Sequence, residues 1–415
     1  MNRICTVRSL AFALFTAILT VLAAAGPAAA DSVPMPRIVQ SHGRYELTVG
    51  GRPYLVLGAQ VNNSSNYPAM LPKVWPALAE VHANTVVMPI AWEQIEPKEG
   101  AFDFSFLDVF LAQAREHGLH AVLLWFGTWK NSSPAYAPQW VKLDDSRFPR
   151  VVNPQGRRMP SLSPLAQATL DADRAAFVAL MTHLKAVDRQ RTVIMAQVEN
   201  ETGTYGSVRD YSPMAQRAFD GAVPRQLVHA LRTRSGTWRE VFGPQADEFF
   251  HAWNIGRFVQ QVAAAGKAVY PLPMYVNAAL RDPLHPGAPI TYESGGPTDD
   301  ALGVWKAAAP AIDFIAPDIY MPEYARYMKV LDLYRRADNA LFVAETGSKQ
   351  AYARYLFATL GHQGIGFSPF GLDFTGYSNY PLGARVVDAG TLAPFGLEYR
   401  LVGAMSSETP KRRPS

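Results

Sequence analysis

Near the middle of the chain an apolar run, "RTVIMA", passes directly into Gln197-Val198-Glu199-Asn200-Glu201 and then into the loop "TGTYGS". Two carboxylates and two amides at the end of a hydrophobic strand are costly unless they are paired or put to use. Another carboxylate, Glu345, ends the run "ALFVAET" 144 residues later. Glycoside hydrolysis needs one carboxyl to protonate a departing oxygen and one carboxylate across the anomeric carbon. Other ends of apolar runs carry groups that suit a sugar. These are Asn62 and Asn63, Trp92 with Glu93 and Glu96, Trp125, Trp129, Lys130 and Asn131, Asn277, Asp318 with Tyr320, and Asp373. Trp92, Trp125 and Trp129 are candidate platforms for a sugar ring, and Tyr320 is a candidate donor to Glu345. Glu96, just before Pro97, reads as a structural anchor. Alternation turns Glu199 to the face opposite Asn200 if the strand continues, whereas a turn would let it support the site; both readings stand.

The elements that would position these groups follow from apolar patterning. Strands are expected at 53–60, 84–92, 119–127, 191–199, 269–277, 313–320, 340–346 and 364–373. Between them lie helical patterns around 71–82, 103–118, 168–187, 245–265, 299–308, 324–337 and 349–361, with a long excursion over about 203–243. In the second of these, Phe104, Leu107, Leu111 and Ala114 recur at helical spacing, and Gly118 caps the end. Eight strands alternating with helices predict an α/β fold, a (β/α)8 TIM barrel, whose catalytic residues sit at the C-terminal strand ends. The competing doubly wound sheet would want a Gly-rich phosphate loop after the first strand, where "GAQVNNSS" stands instead.

Composition bounds the rest. Residues 1–30 carry Arg3 and Arg8, an apolar run and a Pro-Ala-Ala-Ala end, the pattern of a signal peptide, so an exported, periplasmic or extracellular protein is expected. Residues 31–383 would form the catalytic barrel, and 384–415 a short extension, partly disordered, ending in "SSETPKRRPS". The single cysteine, Cys5, leaves with the leader, so neither a disulfide nor a thiolate remains in the mature chain. The formal charge of +4 falls to +2 without Arg3 and Arg8, and Lys and Arg cluster only in the tail. That excludes the electrostatic footprint of a nucleic-acid binder. The nine histidines show no metal-binding spacing, so no metal and no cofactor is expected. The partner is a glycan, with no stable membrane insertion after cleavage; the oligomeric state is left open.

"QVENETG" resembles the strand-4 signature Gln-x-Glu-Asn-Glu-x-Gly of glycoside hydrolase family 35, β-galactosidases of the (β/α)8 glycosidase clan A. "FVAETG" is similar to the clan's strand-7 nucleophile segment, and "PIAWEQIEPKEGAFDFSFLD" resembles its strand-2 block. The likeness runs from about residue 44 to 375. It implies Glu201 as acid/base, Glu345 as nucleophile, and Asn200 as the contact to the sugar 2-hydroxyl. Substrate contacts would come from Asn200, Trp129, Asn131, Tyr320, Trp92 and Asn62. "GAQVNNSSNYPA" and "LLWFGTWKNSSPAYAPQWVK" are similar to a bacterial branch of exported enzymes acting on plant-wall glycans, xyloglucan side chains among them. The resemblance therefore implies a secreted, retaining exo-β-galactosidase. The alternatives are a β-xylosidase, an α-L-arabinopyranosidase, or a truncated non-catalytic glycan-binding barrel. Two departures are visible. Trp129-Lys130-Asn131 stands where other members have Gly-Pro-Tyr-x-x-x-Glu-Trp, and the chain stops soon after the barrel where others continue into β-rich domains.

Overall fold

Apolar runs of four to eleven residues separated by amphipathic helices leave each strand buried on both faces, and such strands pair in parallel. The computed structural model describes residues 33–407. In it eight parallel strands close into a barrel in chain order. They are β1 (Val56–Gln60), β2 (Thr85–Ala91), β3 (His120–Lys130) and β4 (Val193–Asn200). The second half comprises β5 (Met274–Ala279), β6 (Phe314–Ile319), β7 (Phe342–Thr346) and β8 (Gly366–Pro369). This is the expected (β/α)8 barrel. The leader expected at 1–30 and the tail 408–415 lie outside the described residues. No described helix is long and apolar enough to cross a membrane.

Alternation along each strand divides the core into two layers. On β3, Val122, Leu124 and Phe126 face inward, where they pack with Val56, Val87, Tyr275, Phe314 and Phe342. Leu123 and Trp125 face outward into the layer between strands and helices, with Phe177, Leu180 and Phe258. The inner residues come from the starts of the strands and fill the N-terminal end of the barrel, leaving the C-terminal ends for polar groups.

Among the elements not anticipated, two brace the barrel. An antiparallel ribbon, Arg37–Ser41, Arg44–Val49 and Arg52–Tyr54, precedes the barrel. Its Leu47 is fully buried and joins the inner core, so the ribbon plugs the barrel floor. The helix Ala389–Ser407 lies where a partly disordered extension was expected. Its Leu392, Phe395 and Tyr399 are buried, and the Tyr399 hydroxyl donates to the carbonyls of Gly58 at 2.7 Å and Phe367 at 3.1 Å. Structured chain thus continues past residue 383 and bolts the β8–β1 seam from outside.

Candidate active site

The polar C-terminal ends of the strands converge on a cleft of about 460 Å³, within the ~300–1,000 Å³ usual for small-ligand sites. Glu201 follows β4 and Glu345 lies on β7, and both line this cleft. With Asp318 of β6 they bring one carboxyl oxygen each to within 4.8 Å of one another. Asp318 pairs with Glu345 in the β6–β7 register, which places the two side by side.

Each glutamate has its own set of neighbours. The Glu345 oxygens accept from Gln60 Nε2 at 2.6 Å and from the Tyr320 hydroxyl at 2.7 Å, the latter being the contact expected from sequence. Glu201 accepts from Asn131 Nδ2, and its backbone N–H donates to Asn277 Oδ1 at 2.9 Å. Asn277 in turn donates to Asp318 at 2.6 Å. Lys130 Nζ donates to Asn131 Oδ1 and lies 5.2 Å from the Phe126 ring centre.

The charge balance decides where protons reside. Burial, then the nearby Glu345, push Glu201 up to about 7, with Lys130 and a hydrogen bond from Asp318 opposing. Burial, then Glu345 and Glu201, raise Asp318 well above the carboxylate range. Burial and Glu201 do the same to Glu293, which enters from the loop after β5. Of the five cleft carboxyls Asp282 pairs with Arg326, which leaves one ammonium, Lys130, for Glu201, Glu293, Asp318 and Glu345, so they cannot all be ionised.

The structure gathers four of the eight residues expected at the site, Glu201, Glu345, Asn131 and Tyr320. Of the other four, Trp92 and Trp129 need correction. Trp92 is fully buried, donates to Glu96 Oε2 at 2.8 Å and packs on Trp125 and Trp140. Trp129 is also fully buried and sets its ring edge-on to Phe258 at 4.8 Å, outside the barrel wall. Neither is a sugar platform, because both fall on the outward face of their segments. Asn62 donates through its backbone and side chain to Asp373, tying the end of β1 to the chain after β8; Asn63 beside it lines the cleft. Asn200, at the end of β4, is fully buried, and its amide has no protein partner.

Lys130 and Asp318 were named from sequence as strand-end groups but given no role. Three further cleft or support residues were not named, and of these Gln60 sits at the end of β1. Tyr205 and Glu293 come from long excursions with no motif to announce them. The aromatic groups that do reach the cleft are Tyr205, Tyr320 and Phe370.

Comparison with known proteins bears on this geometry. Residues 73–251 match the family model of the glycoside hydrolase family 42 β-galactosidases. That segment runs past β4 and carries Glu201. The model that matches is that of family 42, not of the family 35 that the strand-4 motif resembles. A short carboxylate–amide motif at a barrel strand end reflects the chemistry it performs more than the branch it comes from. No curated protein matches the chain.

Among solved structures, β-galactosidases from Bacillus circulans sp. alkalophilus and the psychrophilic Marinomonas ef1 superpose with TM-scores of 0.59 and 0.60, each at 12% identity. They cover 85% and 84% of this chain and 57% and 60% of their own lengths. An exo-β-1,4-mannosidase from Opitutaceae bacterium strain TAV5 gives a TM-score of 0.55 at 15% identity, covering 89% of this chain and 63% of its own. The chain thus spans about three-fifths of these neighbours, and the likeness is one of fold.

Proposed function

We propose that the protein is an exported, retaining exo-β-galactosidase that removes terminal β-galactosyl residues from plant-wall oligo- or polysaccharides. The observation that carries this reading is the approach of Glu201 and Glu345 to within 4.8 Å across the cleft. Carboxyls about 5–5.5 Å apart suit direct attack on the sugar, whereas inverting enzymes leave about 6.5–9.5 Å for a water. Galactose is favoured by the family 42 match and by the two β-galactosidase neighbours. The wall glycan and export rest on the sequence features alone.

The chemistry follows from the environments. Glu345, its oxygens fixed by Gln60 and Tyr320, attacks the anomeric carbon while Glu201 gives its proton to the departing oxygen. The glycosyl–carbon bond to the aglycone oxygen breaks as the ester to Glu345 forms. Esterification removes the Glu345 charge, and with it one cause of the raised Glu201 value. Glu201 is then better suited to take a proton from the water that displaces Glu345. The partnerless amide of Asn200 is a group that a sugar hydroxyl would satisfy.

The test is hydrolysis of nitrophenyl β-galactoside by the mature protein, with product anomers followed by NMR. β-Galactose is expected first, and Glu201→Gln and Glu345→Gln should each lower kcat by about 100-fold or more. First release of α-galactose would overturn retention. A folded protein inert on β-galactoside, β-mannoside, β-xyloside and α-L-arabinopyranoside substrates would favour a glycan-binding barrel instead.

A further inference from the structure

Glu199 is the carboxylate of the strand-4 cluster that the mechanism does not use. Its setting is unusual. Opposite β4, strand β3 breaks register, with Trp125 paired to Val198 and the next pair being Lys130 with Asn200. Residues 126–129 therefore bulge against the single residue Glu199, which sits at a φ of 64°. A bulge of this kind frees backbone N–H groups and re-aims the side chains that follow it.

Two carboxyls satisfy those freed groups. Glu199 Oε2 accepts from the Trp129 N–H at 2.8 Å. Asp173, on the helix Gln167–Val187, accepts from Trp125 Nε1 at 2.8 Å, the Thr128 N–H at 2.9 Å and the Thr128 hydroxyl at 2.5 Å. The other Glu199 oxygen, Oε1, has no donor among the described groups, and it faces Asp173 Oδ2, the acceptor of the Thr128 bonds, across Gly127. A Cβ placed on Gly127 would lie 2.9 Å from the first and 2.8 Å from the second. Any side chain there would push the pair apart. Both carboxyls are fully buried, and among the described residues neither forms an ion pair with Lys, Arg or His. The nearest charges on the same strands, Lys130 and Glu201, line the cleft, while Asp171 and Arg174 pair with each other on the exposed face of the helix. Two ionised carboxylates in contact without a cation are untenable.

We propose that Glu199 and Asp173 share one proton and act as a positioning pair that clamps the β3 bulge. Asp173 accepts three hydrogen bonds from neutral donors and holds the charge; Glu199 carries the proton and donates it to Asp173. Burial raises both groups, Glu199 the more, in keeping with that division. The clamp sets Lys130 and Asn131 where they meet Glu201. Beyond the bulge the chains stay stitched, with the Asn131 N–H donating to Asn200 O and the Ser132 N–H to Glu201 O, each at 3.2 Å. The catalytic consequence rests on the glycosidase reading; the shared proton does not.

The experiment compares wild type, Glu199→Gln and Glu199→Ala. Gln keeps both a donor for Asp173 and an acceptor for Trp129 while removing the proton, and Ala removes all three. Melting temperature is followed between about pH 5 and pH 9. A carboxyl raised by folding makes the native state lose stability as pH rises toward its folded value. Wild type should therefore fall relative to Glu199→Gln on the alkaline side, and parallel curves would overturn the shared proton. Glu199→Gln should retain kcat within about threefold, while Glu199→Ala loses about tenfold or more with little change in KM and a displaced alkaline limb. An unchanged kcat and limb in Glu199→Ala would overturn the positioning role. If wild type turns over no glycoside, the functional reading fails separately. A crystal structure of Glu199→Ala with Asn131 still bonded to Glu201 would then refute the clamp.

Discussion

Glu201 keeps its proton near neutrality because three features act on one carboxyl: burial, the Glu345 charge and a single ammonium shared among four acids. Two consequences follow at the scale of the residue. The alkaline limb of kcat/KM should fall near pH 7, where Glu201 loses the proton it must donate. The same shift bears on stability. The folded value of about 7 exceeds the ordinary 4.5, so stability is full below about 4.5 and is lost as pH rises through 7. Glu201→Gln, neutral at every pH, should unfold at higher temperature than wild type above pH 7, with a gain of ~1–3 kcal/mol. Denaturant melts at pH 5 and pH 8 would check it, and equal differences at both would contradict the assignment. Much of this was legible in sequence, because Glu201, Glu345, Asn131 and Tyr320 all stand at strand ends. Trp92 and Trp129 were misplaced because position along a strand does not give the face. On β3 the inward set is Val122, Leu124 and Phe126, after which the bulge turns Thr128 and Trp129 alike to the outer side, a break in alternation that the sequence does not announce.

The seam where β8 meets β1 is the scale at which elements matter. The two strands pair there at Gly366 with Val56 and Phe367 with Leu57, and the next bridge across the seam comes only at Gln60 with Phe370. Beyond them the strands approach so closely that a Cβ on Gly58 would lie 2.8 Å from Ser368. Tyr399 supplies the bonds the strands do not make with each other, capping both Gly58 O and Phe367 O. Tyr399→Phe should cost about 1–2 kcal/mol of stability and leave KM unchanged, since the hydroxyl lies outside the barrel wall. A melting curve and a Michaelis plot suffice, and loss of activity without loss of stability would argue against a structural bolt. The eight strands were readable because buried parallel strands are apolar throughout. The Ala389–Ser407 helix was not, although Leu392, Phe395, Tyr399 and Val402 recur at helical spacing. Pro394 inside it reads as a break, and burial against the seam overrides that preference.

Over the whole molecule, the barrel separates a stabilising end from a reactive one. The ribbon plug and the strand starts form a dry floor through Leu47, Val87, Val122 and Phe342, while the strand ends carry the acids. Leu47→Ala should therefore cost about 2–5 kcal/mol of stability yet leave kcat/KM near wild type below the melting temperature. A matching fall in kcat/KM would show that the two ends are coupled. The sequence by itself determined the repeating strand–helix order, the chemistry available at each strand end, and the two glutamates that could cleave a glycoside. These are local properties, set by side-chain period and residue type. Only the tertiary structure decided which polar groups share the cleft, because barrel closure, the β3 bulge and the long excursions bring together residues far apart in the chain. It also separated the two carboxylates of "ENE". Glu201 turns into the cleft, whereas Glu199 turns out to Asp173, a partner on another element that no spacing rule could supply.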